Sequence, residues 1–162
     1  MTLTRYNETE VSMALREIDI HSGLHTPGFL VAWGARALAS ARESGDSLRM
    51  LTIGMMEPDC RSELPTDTFR TICTLIRENA GKNSLVARLG DKEIAVLIVG
   101  KDHDYAMDVV RSIIDSIEDA GIKPSDGVGG FSFGIASTSD GIKDIGGLIK
   151  ASHIAMIHGV RN

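Results

Sequence analysis

The chain has 162 residues, of which 43% are hydrophobic, and this is enough for the buried core of one domain. A formal net charge of −5 provides no basic stripe to attract a phosphate backbone, so we do not expect DNA or RNA binding. The longest apolar run, 94–99, is too short to span a bilayer, and the N-terminus lacks the features of a signal peptide, so we expect a cytoplasmic chain without membrane contact.

Helices and strands are predicted to alternate along the whole chain. Helices are predicted where apolar residues recur three or four positions apart, and strands where apolar runs are bounded by turn residues. In chain order they are helix 8–19, helix 29–44, strand 47–56, a helix that follows a cap at Thr66 or Asp67 and ends at about 79, strands 84–89 and 93–99, helix 105–120, strand 129–137 and helix 145–158. Because Gly90-Asp91-Lys92 joins two strands as a tight hairpin, the order favours a mixed α/β sheet over a purely parallel one.

The cysteines and histidines do not form a metal-ligand pattern. Cys60 and Cys73 match neither a redox CxxC nor a paired zinc motif, so we interpret them as free thiols. The five histidines are scattered, with no cluster of carboxylates or cysteines beside them, and Gly23 argues against one helical face that carries both His21 and His25. We therefore expect no zinc site.

The most informative pattern is the segment SLVARLGDKEIAVLIVG at 84–100. It resembles the signature hairpin of GGDEF domains, the fold of the bacterial diguanylate cyclases, which commonly looks like DLVARYGGDEFAVLLP. In this register Gly90, Asp91, Lys92, Glu93 and Ile94 occupy the places of Gly-Gly-Asp-Glu-Phe. Three other segments are similar to family motifs in the same order, namely DIHSGLHTPGFL at 19–30, FSFGIAST at 131–138 and GGLIKASHIAMIHGVRN at 146–162.

The resemblance covers 19–162, which we predict to be a degenerate GGDEF domain preceded by a helical linker at 1–18. It implies an α/β fold with a mixed five-stranded sheet surrounded by helices, similar to the palm of nucleotide cyclases and polymerases. In active members it implies two domains face to face, each with GTP and two magnesium ions, that form cyclic di-GMP. An aspartate at the end of the first strand and the acidic third signature residue hold the metals, which neutralise the charge that develops during the reaction.

The chain departs from this pattern at the metal positions. Gly54, within an apolar strand, aligns with the aspartate, and Lys92 stands at the third signature position. Its ammonium repels a divalent cation by on the order of several kcal/mol in a partly buried site. Glu93 keeps the fourth position, but one carboxylate cannot hold two ions in the required geometry. We therefore expect no metal, no cofactor and no catalytic residue.

The nucleotide positions are also changed. Asp91 replaces the second signature glycine and adds bulk and negative charge where the family backbone approaches the nucleoside. Asp67 aligns with a guanine-contacting aspartate, although capping of the following helix by Thr66 or Asp67 is the simpler interpretation. The lysine of the family's closing helix falls near Gly159. Lys92, Asp67 and Arg161 are therefore the residues left to contact a nucleotide, whose binding we do not expect.

These departures predict a catalytically inactive signalling domain that acts through a protein partner or a homodimer in cyclic di-GMP-related signalling. One alternative is a non-catalytic receptor for GTP or cyclic di-GMP, in which Lys92 grips a phosphate directly. The simpler expectation for Lys92 is a side chain that points from the turn to solvent. Another alternative is a residual cyclase that borrows Asp91 or Glu93 for metal. The family's inhibitory Arg-x-x-Asp motif reads Gly-Lys-Asn-Ser at 81–84, so cyclic di-GMP is not expected there.

Overall fold

The computed structural model describes residues 17–56, 65–122 and 130–158. Within these ranges, helices and strands alternate as the apolar pattern predicts, and each begins and ends within two residues of its predicted bounds. The elements are α1 (Pro27–Ser44), β1 (Leu48–Met56), α2 (Thr66–Asn79), β2 (Ser84–Gly90), β3 (Glu93–Val99), α3 (His103–Asp119), β4 (Gly130–Ser137), a 3-10 helix (Thr138–Asp140) and α4 (Ile145–His158).

The strands form one sheet in the order β2-β3-β1-β4, with helices around it. The predicted α/β fold class is confirmed. The number of strands differs, because the sheet of the described residues has four strands rather than five. The apolar pattern predicted these four, whereas the fifth was implied by the resemblance alone. All neighbouring strands are antiparallel, and the one parallel pairing among the described residues is an isolated bridge between His25 and Ala87.

The sheet separates two apolar layers, because consecutive residues of a strand face opposite sides. Leu51 and Ile94 belong to the layer that contains α2 and α3, whereas Met50 and Leu97 belong to the layer that contains α1 and α4. The two central strands, β1 and β3, are therefore buried on both faces. Each such large apolar side chain contributes about 1.5–3 kcal/mol through its burial.

Helix α4 crosses β1 and β4 at two glycines. A Cβ atom on Gly134 would overlap the backbone nitrogen of Met156 and the carbonyl oxygen of Ser152. A Cβ atom on Gly54 would lie 2.7 Å from the Met156 sulfur. Beside these contacts, the buried hydroxyl groups of Thr52 and Ser152 form a hydrogen bond of 2.6 Å. The helix therefore lies directly against the strands, with no room for larger side chains.

The loop before α1 docks on the free edge of β2. Asp19 donates its backbone N–H to the carbonyl oxygen of Leu24 at 2.7 Å, and the Leu24 side chain is buried. His25 then donates its backbone N–H to Val86 at 3.2 Å and accepts from the Arg88 backbone at 2.9 Å. These bonds place the Asp19 side chain beside the hairpin.

Some predictions concern residues that the structure does not describe, including Cys60, Arg161 and most of the predicted helix 8–19 with its linker. Where that helix is described, at 17–19, the prediction is wrong, because Ile18 pairs with His25 in an isolated bridge as the chain turns into the loop. No helix within the described ranges is long and apolar enough to cross a bilayer.

Candidate functional site: the signature hairpin and its cleft

The candidate site lies at the tip of the β2–β3 hairpin. The strand pairing is regular up to Arg88, shifts at one irregularity and resumes with the pair Gly90–Glu93. Residues 91–92 form the turn. On the other side of β3, Glu93 pairs with Gly54 of β1. The structure thus brings the signature residues and the end of β1 together, as the sequence predicts.

Arg88 attaches the hairpin tip to the loop before α1 and to α2. Its Nε donates to the carbonyl oxygen of Gly90 at 2.9 Å, and its Nη2 donates to that of Asp91 at 3.1 Å. Its Nη1 donates to Asp19 Oδ2 at 3.1 Å, and the guanidinium lies 4.7 Å from the centre of the Phe69 ring. Hydrogen bonds to charged groups are about twice as strong as neutral ones, so this side chain fixes the shape of the tip.

Asp19 completes this network from the opposite side. Its Oδ2 also accepts the backbone N–H of Ser22 at 2.9 Å and the Ser22 hydroxyl at 2.6 Å. Burial alone raises the pKa of Asp19, but the hydrogen bonds from Ser22 and Arg88 outweigh it and hold the pKa below the ordinary value. Asp19 is therefore ionised at neutral pH and neutralises Arg88.

Lys92 lines a cleft of about 260 Å³ between the hairpin tip and the start of α2. Its ammonium nitrogen is shielded from solvent, so the expectation that the side chain points to solvent is wrong. The reason is that the turn directs the lysine toward α2 rather than away from the sheet. The cleft is lined by His21, Thr66, Phe69, Arg88, Asp91 and Lys92.

The start of α2 beside this cleft differs from the prediction. The N-cap position is Pro65, and no side chain caps the helix, so the expectation that Thr66 or Asp67 does so is wrong. Both residues are already helical, whereas a capping side chain belongs to the residue before the helix. Asp67 is exposed in the first turn, where a carboxylate interacts favourably with the helix N-terminus. It does not line the cleft with Lys92.

The Glu93 side chain lies on the face of the sheet that packs against α4. Its carboxylate forms a hydrogen bond with Nδ1 of His153 on α4, and the Glu93 side chain is only 22% exposed. Glu93 is not among the residues that line the cleft with Lys92. A carboxylate thus lies beside one of the histidines that the sequence analysis treated as isolated. The partners are 60 positions apart in the sequence, so no local pattern indicates this contact.

A family model described as diguanylate cyclase, GGDEF domain, matches residues 66–160. The chain belongs to this GGDEF family. No curated protein matches it.

Solved GGDEF structures share the fold. A truncated TpbB (YfiN) of Pseudomonas aeruginosa that comprises only the GGDEF domain is 27% identical, with a TM-score of 0.73 and 87% of each chain covered. The GGDEF domain of DgcB from Caulobacter crescentus, solved with c-di-GMP, is 16% identical, with a TM-score of 0.72 and 88% of each chain covered. Diguanylate cyclase SiaD of P. aeruginosa, solved with its activator SiaC, is 15% identical, with a TM-score of 0.70, and the match covers 93% of this chain and 61% of SiaD.

The described residues at the GGDEF metal positions do not fit a pair of magnesium ions. Gly54 has no side chain to supply a ligand. A Cβ atom at this position would lie only 2.7 Å from the Met156 sulfur, so a longer side chain would not fit. Glu93 is engaged by His153, and Lys92 brings a positive charge into the cleft. Among the described residues, no group of three or more His, Cys, Asp and Glu is placed to hold a metal ion.

Cys73 is a poor ligand as well. It is a free, fully buried thiol in the layer that contains α2, and burial raises its pKa to about 12. A thiol must lose its proton to bind a metal, and this one keeps its proton at neutral pH. The prediction of a free thiol is confirmed for Cys73.

Proposed function

We propose that this GGDEF domain is catalytically inactive and serves as a regulatory module in cyclic di-GMP signalling. The observation that carries the proposal is the position of Lys92 at the third signature position, where its side chain lines the cleft and its ammonium is shielded from solvent. An ammonium and a divalent cation a few ångströms apart repel by on the order of several kcal/mol in such a site. Chemistry that depends on two bound metals is therefore disfavoured.

The neighbouring carboxylates do not compensate for Lys92. Asp91 is exposed in the turn, with one carboxylate oxygen 3.8 Å from Arg88 Nη2. Glu93 contacts His153 on the α4 side of the sheet. A residual cyclase that borrows either of them would have to break these contacts, and it would still lack a ligand from β1.

A module without catalysis acts through what it binds, and we propose that this one binds a protein partner or a second copy of itself. The solved complex of SiaD with its activator SiaC is an example of a protein that contains this fold and binds a protein partner. We further propose that residues 1–18 link the domain at 19–162 to an upstream sensor, in the cytoplasm.

Incubation of the purified chain with GTP and Mg²⁺, followed by chromatography of the products, tests the proposal. We expect no cyclic di-GMP, and we expect none from the Lys92→Asp variant either, because one new carboxylate does not supply the ligand missing from β1. A cyclase-active GGDEF domain in parallel verifies the conditions. Formation of cyclic di-GMP by the unmodified chain at the rate of that control would overturn the proposal.

A second candidate function is a metal-independent nucleotide receptor. It is favoured by the basic lining of the cleft, which includes Lys92, Arg88 and His21. A lysine can replace a metal as the positive partner of a phosphate group. Because Arg88 is already paired with Asp19, Lys92 would supply most of the attraction.

Calorimetry separates this candidate from the first. GTP and cyclic di-GMP are titrated into the chain in the presence of either EDTA or Mg²⁺. The receptor predicts binding that does not need metal and is lost in Lys92→Ala but kept in Lys150→Ala, which removes an exposed lysine on α4. Absence of heat in both buffers would contradict the receptor and leave the partner-binding module.

A further inference from the structure

The two edges of the sheet differ in how they are covered. At the β2 edge, His25 donates its backbone N–H to Val86 and accepts from the backbone of Arg88, so the loop before α1 covers the middle of this strand. The opposite edge is β4, which pairs with β1 alone in the part of the chain that the structure describes. Within the described ranges, β4 is therefore the edge that is open to a further strand.

Three residues of β4 direct their unpaired backbone groups to this edge. Consecutive residues of an antiparallel strand direct their N–H and C=O groups to opposite neighbours. Met55 donates its N–H to the carbonyl oxygen of Lys92, so the odd-numbered residues of β1 bond toward β3 and the even-numbered ones toward β4. In β4 the even-numbered residues are opposite the even-numbered residues of β1, so the groups of Phe131, Phe133 and Ile135 point outward.

Strand β4 lacks the features that usually protect an edge. Its eight residues, Gly130–Ser137, include no charged residue and no proline. Its pairing with β1 continues without the shift that interrupts β2 and β3. Phe131, Phe133 and Ile135 are only partly buried against the layer that contains α2 and α3. Edge strands are normally protected by charges, prolines or bulges, so this edge is suited to pairing with another strand.

We propose that the β4 edge binds a second copy of this chain, so that the two β4 strands pair in antiparallel orientation about a two-fold axis at Phe133. This inference deepens the proposed function, on which it rests, by naming the partner and the surface. In this register Phe133 pairs with the partner's Phe133, and Phe131 pairs with the partner's Ile135. The three outward N–H groups and the three outward C=O groups of each copy are then all hydrogen-bonded, whereas a shifted register leaves some of them unpaired.

The strand is complementary to itself. A two-fold axis perpendicular to the sheet keeps Phe131, Phe133 and Ile135 of both copies on the same face, where they form aromatic and aromatic–β-branched pairs across the interface. Such cross-strand pairs are favourable, and the like charges that would oppose them are absent from β4. Because the loop before α1 covers the β2 edge of each copy, the pairing stops at a dimer and does not continue into a filament.

Helix α4 leaves room for this pairing. His153 of α4 contacts Glu93 of β3, so this side of the helix faces the centre of the sheet. Ala151 and Ala155 are two positions from His153 in either direction and lie on the opposite side of the helix, toward the β4 edge. Both side chains are small and partly buried. The α4 helices of the two copies can therefore lie side by side above the paired strands.

This dimer holds the two signature hairpins apart. Its sheet has the order β2-β3-β1-β4 followed by the same strands of the partner in reverse. The two β3 strands are then five strand spacings apart, or about 24 Å. The family resemblance implies a different arrangement for active members, in which two domains meet face to face around the reaction. A pair joined at the β4 edge is therefore suited to regulation rather than to catalysis.

Sedimentation equilibrium of the purified chain measures the association. A single edge strand makes a small interface, so we expect a monomer–dimer equilibrium with a Kd on the order of 1–100 µM. Phe133→Lys places two ammonium groups opposite each other at the axis and is expected to weaken the dimer at least about tenfold. Val31→Lys, at an exposed apolar position on α1, is the matched control and should leave the Kd unchanged.

A charge-reversed variant tests the register. Phe133→Glu alone should weaken the dimer as Phe133→Lys does. An equimolar mixture of the two variants should associate at least about tenfold more tightly than either alone, because opposite charges then meet at the axis. This recovery also shows that both variants are folded.

Hydrogen exchange followed by NMR supplies a test without substitutions. At a chain concentration of about 500 µM, the outward amide hydrogens of Phe131, Phe133 and Ile135 are expected to exchange at least about tenfold more slowly than in an unstructured peptide. A chain that stays monomeric at this concentration, a dimer that Phe133→Lys and Val31→Lys weaken equally, or unprotected amides would overturn the inference. If such a chain also forms no cyclic di-GMP, the inference fails while its catalytic inactivity stands.

Discussion

The interior of the sheet and the tip of its hairpin have different roles in this molecule. The side chains from Ile94 to Ile98 are fully buried in the two apolar layers on either face of the sheet, so their identity is constrained by packing. At the tip, Asp91 is exposed and Lys92 lines a cleft, so tight packing constrains the identity of these residues less. A GGDEF domain can therefore keep its fold while the chemistry of its tip changes.

The interior is predicted to be the most sensitive region, and Gly134→Ala tests this most strongly. The new methyl group would overlap backbone atoms of α4, which cannot move without separating the helix from β1 and β4. We expect the free energy of unfolding to fall by about 3 kcal/mol or more, measured by urea denaturation. Gly28→Ala is the matched control, because nothing lies within 4 Å of its Cβ position, and it should change stability by less than about 1 kcal/mol. A Gly134→Ala variant as stable as this control would contradict the close approach.

At the tip of the hairpin, we expect substitution of Arg88 to lower the free energy of unfolding. Arg88→Ala removes the hydrogen bonds to the turn and leaves the partly buried carboxylate of Asp19 without its cation. We expect a loss of about 2–3 kcal/mol in urea denaturation. Arg111→Ala breaks an exposed pair with Asp108 and should cost less than about 1 kcal/mol. Equal effects of the two variants would show that the Arg88 network does not stabilise the tip.

The same network predicts a pH dependence through Asp19. Because its pKa is lowered by folding, Asp19 stabilises the fold above its ordinary pKa of 3.8, and this contribution is lost as the pH falls through the lower folded value. Asp19→Asn should therefore be less stable than the unmodified chain at pH 7, by about 1–2 kcal/mol, and the difference should shrink below about pH 4. Urea denaturation between pH 2.5 and 7 measures it. A difference that stays constant over this range would contradict the lowered pKa.

The smallest effect is expected for the pair of Glu93 and His153. Both side chains are partly exposed, so we expect a coupling energy of no more than about 1 kcal/mol in a double-mutant cycle of Glu93→Gln and His153→Gln. A coupling above about 2 kcal/mol would mean that the tip is held from the α4 side as firmly as from the Arg88 side.

The sequence predicts the interior well because the local spacing of apolar residues indicates which of them are buried. The continuous apolar runs of β1 and β3, each bounded by turn residues, and the apolar spacing of α3 specify these elements without knowledge of the rest. The order of the strands did not follow from such spacing, and neither did the antiparallel pairing of β1 with β4. Those depend on which apolar faces meet, which is a property of the whole chain.

The site is predictable only where a residue can be aligned with a motif. Gly54 and Lys92 were identified in this way, and the structure brings them to one end of the sheet. The bond between Arg88 and Asp19 spans 69 residues, and no periodicity signals it. The orientation of Lys92 was predicted wrongly, because a turn residue has no inner or outer face until α2 is packed beside it.

The account depends on the inference that the tip of the β2–β3 hairpin, with Lys92 at the third signature position, does not bind divalent metal ions. Electron paramagnetic resonance of Mn²⁺, which prefers the same oxygen ligands as Mg²⁺, measures this directly, because the sharp signal of the free ion disappears when it is bound. With the chain present, and GTP added to both samples, we predict the same free Mn²⁺ signal as in a solution of GTP without protein. Loss of that signal with a stoichiometry of two Mn²⁺ per chain would contradict the account.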